Sequence, residues 1–359
     1  MTEQEMLYIR LQNQKATVGE FTKPEELLGW LGGMQAQDYT SCKWAVGLRT
    51  PGATDEMVEQ SIADRKIIRS WLMRGTLHLA TAKDIRWMLD LLAPRLIRAG
   101  AGRHRELELD EKTFSKSHKI LQAALLNGKE LSRKELRTLF EKNGIRTTGQ
   151  RLPHLLQRAA LEKLICFGVR KNKEFTFVLM DEFVPRTKPK TTDEALAELA
   201  KRYFSSRGPA TLQDFVWWSG LKTTEARTGL EAVKSLLQQQ TINGKTYFFS
   251  QQLVPNVKLK PATFLLPAFD EYVIAYRDRR ALLDPVNSEQ VISKNGIFYP
   301  VMVENGQVIG TWKRTFKKDQ VVIEFNPFNR IDPTTKDEFV ASAEEFAKFT
   351  GNRSVIQFI

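Results

Sequence analysis

Cysteine is almost missing from this chain: 359 residues contain two, Cys42 and Cys166. Neither belongs to a Cys-x-x-Cys pair, which excludes a disulfide framework and a zinc-thiolate site and points to a reducing compartment. Long apolar runs are missing too. Arg86, Asp90 and Arg95 break the longest candidate, so no stretch reaches the length that spans a bilayer. The opening residues, Met1-Thr-Glu-Gln-Glu-Met6, lack the basic and apolar regions of an export signal, and a cytoplasmic location is expected. No phosphate-binding loop, dinucleotide-binding glycine pattern, Ser-His-Asp order or metal-ligand spacing occurs, which removes the commonest enzyme classes; no metal and no cofactor are expected. Histidine is scarce, with four residues. His104 and His118 sit in charged helical stretches and are expected at the surface, and His78 reads first as a structural histidine in a strand.

Positive charge is what the chain has in excess: 54 Lys and Arg against 42 Asp and Glu, a net +12. A basic surface attracts polyanions, nucleic acid foremost, and no basic amphipathic segment suggests a membrane surface instead. Hydrophobic content of 42% and charged content of 27% are those of a globular protein. This length implies two to four modules.

The chain repeats one order of elements three times. Amphipathic helices are expected over 5–13, from a capping-box spacing at Thr22-Lys-Pro-Glu25, and over 54–65, followed by a hairpin across Ile67–Leu79 turning near Arg74-Gly75. The order recurs with helices over 114–127, from Ser132-Arg-Lys-Glu135, and over 148–164, then strands joined at Lys171-Asn172-Lys173. After the linker Pro185–Lys190 it returns with helices over 193–206, from Thr211-Leu-Gln-Asp214, and over 223–238, then strands turning at Asn243-Gly244. Three helices and a hairpin are the winged helix-turn-helix order. The tail differs. It offers a strand at Thr263–Leu266, a hairpin with Asn305-Gly306 at its turn, a second hairpin bearing Lys313, Arg314, Lys317 and Lys318 near its tip, and one helix over 335–350. The expected fold is α+β: three tandem winged helix-turn-helix modules at 1–105, 106–185 and 190–254, then a small β-barrel-like domain with one helix at 255–359.

The stretch Gly32-Gly-Met-Gln35-Ala-Gln37-Asp38-Tyr39 stands apart. Paired glycines allow a sharp turn. In an extended segment Gln35 and Gln37 would share a face and present two amides, neutral groups that both donate and accept. Such a pair suits holding a water or a base edge, or capping helix carbonyls; it is no strong base. Elsewhere, Arg146, Gln150, Arg151 and His154 form a polar face on the third helix of the second module, either DNA-reading or merely solvated. Asp270, Arg277 and Arg279 are expected to form an internal ion-pair network.

Four pieces together carry a resemblance: Leu31-Gly-Gly-Met-Gln-Ala-Gln37, Trp71-Leu-Met-Arg-Gly-Thr-Leu-His78, Leu265-Leu-Pro-Ala-Phe-Asp-Glu-Tyr272 and Gly310-Thr-Trp312. With these the chain resembles the AlkZ-like family of winged-helix DNA glycosylases over nearly its whole length. The resemblance implies three winged helices in a C-shape with a β-barrel, and a Gln-x-Gln catalytic signature that Gln35-Ala36-Gln37 fits. A second branch has Gln-x-Asp. Here Asp38 lies one position beyond that acid and is expected to face away. It implies a monofunctional enzyme hydrolysing the N-glycosidic bond of cationic alkylated purines with water as nucleophile, in an open channel that admits bulky adducts or crosslinks. The partner implied is damaged double-stranded DNA, with no obligate protein partner. The same resemblance makes Gln35 and Gln37 catalytic, sets Lys313, Arg314, Lys317 and Lys318 on phosphates or in the minor groove, and gives Arg74 and His78 backbone contact or support of the glutamine segment; Gln150 and Arg151 are DNA-contact candidates from the winged-helix reading of the second module. The rival is a non-catalytic DNA-binding regulator, which would prefer one sequence where a repair enzyme prefers a lesion; a winged-helix scaffold is the third possibility.

Overall fold

The computed structural model describes residues 1–17, 19–250 and 262–359. The module boundary expected at 254/255 lies outside them. The chain forms two compact units, one of Met1–Val58 with Leu196–Ile359 and one of Glu59–Ala195 between them.

The first unit opens with α1 (Glu3–Asn13), held by a Thr2/Glu5 capping box, and α2 (Pro24–Leu31). Proline starts α2 as expected, but Lys23 is its cap residue and makes no side-chain cap bond, so the capping box read at Thr22 does not form. A short strand, β1 (Met34–Gln35), leads into a helix that periodicity did not reveal, α3 (Tyr39–Gly47), and then α4 (Asp55–Ala63) crosses into the second unit.

There β2 (Ile67–Trp71) and β3 (Leu77–Thr81) pair antiparallel, with Ser70 opposite His78. A 22-residue helix, α5 (Ile85–Glu106), follows. Next come α6 (Glu111–Leu125), the two-residue β4 (Leu131–Ser132), α7 (Arg133–Lys142) with its Ser132/Glu135 capping box, α8 (Arg151–Leu161), β5 (Ile165–Phe167), β6 (Thr176–Leu179) and the single turn α9 (Met180–Phe183). The strands order as β4-β6-β5. Phe114, Leu121, Leu136, Phe140, Leu155, Leu156 and Phe177 lie at helix or strand spacing and close one core. His104 is part of this packing and not a surface residue: it is buried, with ring centroids 5.0 Å from Phe114 and 5.4 Å from His154.

The chain returns through α10 (Thr192–Arg207), α11 (Leu212–Ser219) with its Thr211/Asp214 capping box, α12 (Thr223–Val233) and the hairpin of β7 (Leu237–Ile242) and β8 (Lys245–Ser250). Then come β9 (Thr263–Leu266), the turns α13 (Glu271–Ile274) and α14 (Ser288–Val291), β10 (Val301–Glu304), β11 (Gln307–Lys317), β12 (Gln320–Pro327), α15 (Pro333–Phe349) and β13 (Arg353–Phe358). One long strand, β11, serves both expected hairpins. β13 was not foreseen; it pairs parallel with β12. The five strands order as β13-β12-β11-β10-β9, and among the described residues β13 and β9 do not pair with each other. The expected barrel is therefore an open sheet. Trp44, Trp312, Phe346 and Phe349 fill the space between this sheet and α3 and α15, with successive centroids near 5.3 Å.

Candidate active site

The glutamine segment begins where α2 ends. Gly32 adopts φ 67° and Gly33 φ 118°, conformations that cost a side-chain-bearing residue dearly. The turn exposes carbonyls that α2 can no longer satisfy. Arg207, at the end of α10, takes two of them: it donates to Leu31 O at 2.5 Å and to Gly33 O at 2.9 Å. The same guanidinium donates to Glu271 Oε2 at 2.9 and 2.6 Å and lies 4.3 Å from the centroid of the Trp218 ring. Trp218 Nε1 donates to that oxygen too, at 2.9 Å. The other oxygen, Oε1, accepts the backbone N–H of Gln35 at 2.9 Å. Arg207 and Glu271 have no solvent exposure. Helix end, strand start and glutamine backbone are thus tied to one buried charge pair.

The residue before Glu271 repeats the device. Asp270 accepts two bonds from Arg49, at 2.8 and 2.7 Å, and caps α13 through Tyr272 N. Arg49 also donates to Gln14 O and Ala45 O. The internal network expected at Asp270 exists, but with Arg49 as partner. Arg277 instead reaches Gln213, and Arg279 the carbonyl of Val273. Tyr272 donates to Gly306 O at 2.7 Å and Tyr276 to Arg207 O at 2.8 Å. Burial pushes the Tyr276 phenol up to about 12 and the Tyr272 phenol further in the same direction, so both remain neutral donors. Trp44 and Trp312 donate to the carbonyls of Leu265 and Leu266. At Gly310 an added Cβ would lie 2.7 Å from Pro327 Cα, so β11 and β12 approach only without a side chain there.

Gln35 and Gln37 do not repeat along an extended strand. β1 stops at Gln35, which is 8% exposed; the chain then bends, and Gln37 lies at the surface. Asp38 caps α3 by accepting from Ser41 N at 2.8 Å, and both of its oxygens accept from Arg314, at 3.0 and 3.1 Å. Side chains alternate along β11. Arg314 therefore shares the face of Trp312 and Phe316 and is only 12% exposed, whereas Lys313 turns to solvent, 75% exposed and 3.6 Å from Glu324. Lys317 and Lys318 are exposed at the tip. Beside Asp38 lies an open cavity of about 870 Å³, bordered by Thr40, Tyr299, Trp312, Arg314 and Phe316. Its aromatic lining comes from separate stretches and was not visible in the sequence.

The second unit separates its expected site residues by role. Arg74 adopts φ 56° in the turn between β2 and β3 and is half-buried. His78 is buried, its Nδ1 3.0 Å from Thr76 O. Gln150 is exposed and accepts from Arg103 at 2.9 Å. Arg151 is buried and ties the carbonyls of Arg146, Leu107 and Glu108, so it serves as an internal brace. Arg146 pairs with Glu108. No helix among the described residues is long and apolar enough to cross a membrane.

An α+β protein with a net charge of +12 and an anchored glutamine segment beside a lysine-bearing hairpin has the features of a DNA-acting enzyme. Comparison with known proteins gives the class: the family model described as DNA glycosylase AlkZ-like matches residues 28–349. This chain belongs to the AlkZ-like family of DNA glycosylases. It is 27% identical over 345 residues to the interstrand DNA cross-link repair glycosylase of Streptomyces sahachiroi, with 90% of each chain covered. The solved structure of the Streptomyces sahachiroi DNA glycosylase AlkZ matches with a TM-score of 0.81 and 22% identity, covering 100% of both chains. That structural likeness shows a shared fold.

Proposed function

We propose that this DNA glycosylase releases cationic N7- or N3-alkylated purines from duplex DNA, bulky and crosslinked adducts included, with water as nucleophile and with Gln35 and Gln37 as its catalytic pair. The observation that carries the reading is the anchoring of Gln35 N to the buried Glu271 carboxylate, with Gln37 two residues on at the surface. An alkylated purine already carries positive charge, so it leaves without a general acid. Catalysis then needs a placed water and a dipole facing the developing sugar cation, and fixed neutral amides supply both by position. A carboxylate would stabilise that cation more strongly; an enzyme with two amides depends on a good leaving group. The Streptomyces sahachiroi relative is an interstrand DNA cross-link repair glycosylase, and the open cavity beside Asp38 would suit a bulky adduct.

In this reading the helix-and-hairpin segments form three winged-helix modules at 1–105, 106–185 and 190–254, before the β-rich domain at 255–359. Lys313, Lys317 and Lys318 contact phosphates, Arg74 and Gln150 give lesser backbone contacts, and His78 supports the first module's hairpin. Arg314 acts through Asp38. The test is base release from a duplex with one N7-methylguanine, read as alkali-cleavable abasic sites. Gln35→Ala and Gln37→Ala should each slow release on the order of 100-fold, the scale of a removed transition-state dipole. Gln37→Ala with unchanged DNA affinity and unchanged release would remove the assignment. Tight duplex binding by the wild type with every lesion left intact, bulky adducts included, would favour the regulator.

A further inference from the structure

The second unit contains a further pocket, of about 710 Å³. Its wall is aromatic. Trp71 and Phe177 stack at 6.5 Å with planes 8° apart, Trp71 and Phe167 lie 5.2 Å apart, and Phe175 meets Phe167 edge-on at 5.8 Å. Trp71 and Phe175 remain partly exposed in the pocket mouth. Into this wall is set Arg69, only 4% exposed, its Cζ 4.7 Å from the Phe167 centroid and 4.4 Å from that of Phe175. The rim carries Arg133, Lys134, Arg137 and Lys173, all exposed, and one carboxylate, Glu174. None of those four rim cations forms an ion pair among the described residues.

Two of the rim cations, Arg133 and Lys134, stand in the first turn of α7, where the helix dipole disfavours positive charge, and Arg137 follows one turn on. Residues 133, 134 and 137 share one helix face by their spacing. That placement does nothing for the helix and is relieved by an anion. The volume falls in the range of pockets that enclose a small ligand. A duplex hides its base faces and would leave the aromatic wall unused, whereas an unpaired nucleotide offers a flat face and a phosphate together. We propose that this pocket takes one unpaired nucleotide of a DNA strand, its base against Trp71 and Phe175 and its phosphates among Arg133, Lys134 and Arg137.

The site is independent of the glutamine assignment, and its test is binding by the full chain. Fluorescence anisotropy of a labelled thymidine dodecamer and of a paired duplex of equal length, across a salt series, compares the wild type with two variants. Arg133→Ala/Arg137→Ala should lower the salt slope for the single strand by about 1.4, at about 0.7 per phosphate contact. Phe175→Leu should weaken single-strand binding about five-fold or more with the slope unchanged. Duplex binding should change much less in both. Equal losses for single strand and duplex would make this a general phosphate-contacting face and overturn the proposal, as would no loss. The two arginines are exposed, so their variant keeps the core even if Phe175→Leu does not.

Discussion

Removing either partner of the Arg207–Glu271 pair should cost far more than the pair contributes. In Glu271→Leu the carboxylate disappears with four hydrogen bonds, from Gln35 N, Trp218 and twice from Arg207. A buried guanidinium then remains, left with the carbonyls of Leu31 and Gly33, the Ser206 hydroxyl and the Trp218 ring. Breaking a buried pair this way costs about 3–5 kcal/mol, a large part of a typical total of about 5–15 kcal/mol. Arg207→Met should cost less. The carboxylate it leaves can take up a proton, keeps two donors and becomes neutral; a guanidinium cannot shed its charge. The double variant removes both charges but leaves the segment's carbonyls and Gln35 N–H short of partners, at about 1 kcal/mol each. It should therefore be about as unstable as Glu271→Leu alone, with a coupling on the order of 3 kcal/mol. Urea unfolding followed by tryptophan fluorescence measures this, with midpoints compared at constant slope and the transition of the unit that holds Trp218 analysed by itself. Strictly additive single effects, or a Glu271→Leu cost under about 1 kcal/mol, would refute the argument that this pair fixes the glutamine segment.

Two further outcomes follow from the geometry. Asp38→Ala loses the cap of α3 together with its pair to Arg314, and should cost about 1–2 kcal/mol; Arg314→Ala removes only a partly screened pair and should cost under about 1 kcal/mol. Thermal melts that rank the two the other way would reassign the pair. Burial, reinforced by His154 and Arg158, holds the His104 imidazole below the ordinary histidine range, and burial with Arg103 does the same for His154. The unfolded chain then binds protons that the folded state refuses, so stability is full above a pH of about 6.5 and falls as pH drops below it towards the lowered folded values. Melting temperatures at neutral and mildly acidic pH should show that loss, and His104→Phe should flatten it; an unchanged pH dependence would count against the buried pair as its source.

Much of the fold was legible because its signals are local. The Ser132 and Thr211 capping boxes, the Asn243-Gly244 and Asn305-Gly306 turns and the β2–β3 hairpin each specify themselves within a few residues. What local signals could not give was anything whose partner is remote. α3 mixes Tyr39, Lys43 and Trp44 with little periodicity and is held by a cap on Asp38 and by packing of Trp44 on α15. β13 alternates weakly and exists because β12 offers it an edge. Whether a sheet closes depends on how its two outer strands lie, and no residue of either records that.

The candidate site shows the same division more sharply. Adjacent acids at 270 and 271, inside an apolar stretch, cannot be buried without cations. The need is readable from sequence, but the chain has 54 Lys and Arg to choose from. Arg49 and Arg207 answer it from 221 and 64 residues away. In sequence Arg314 stands with Lys313, Lys317 and Lys318 in one basic run. The two-residue period of β11 separates it from Lys313 and turns it onto Asp38, next to Gln37. The Phe269–Tyr272 stretch therefore matters to the glutamines without standing in for them. Its Glu271 fixes the backbone from which Gln35 projects. In the folded chain the Glu271 carboxylate is already committed to holding the Gln35 backbone in place.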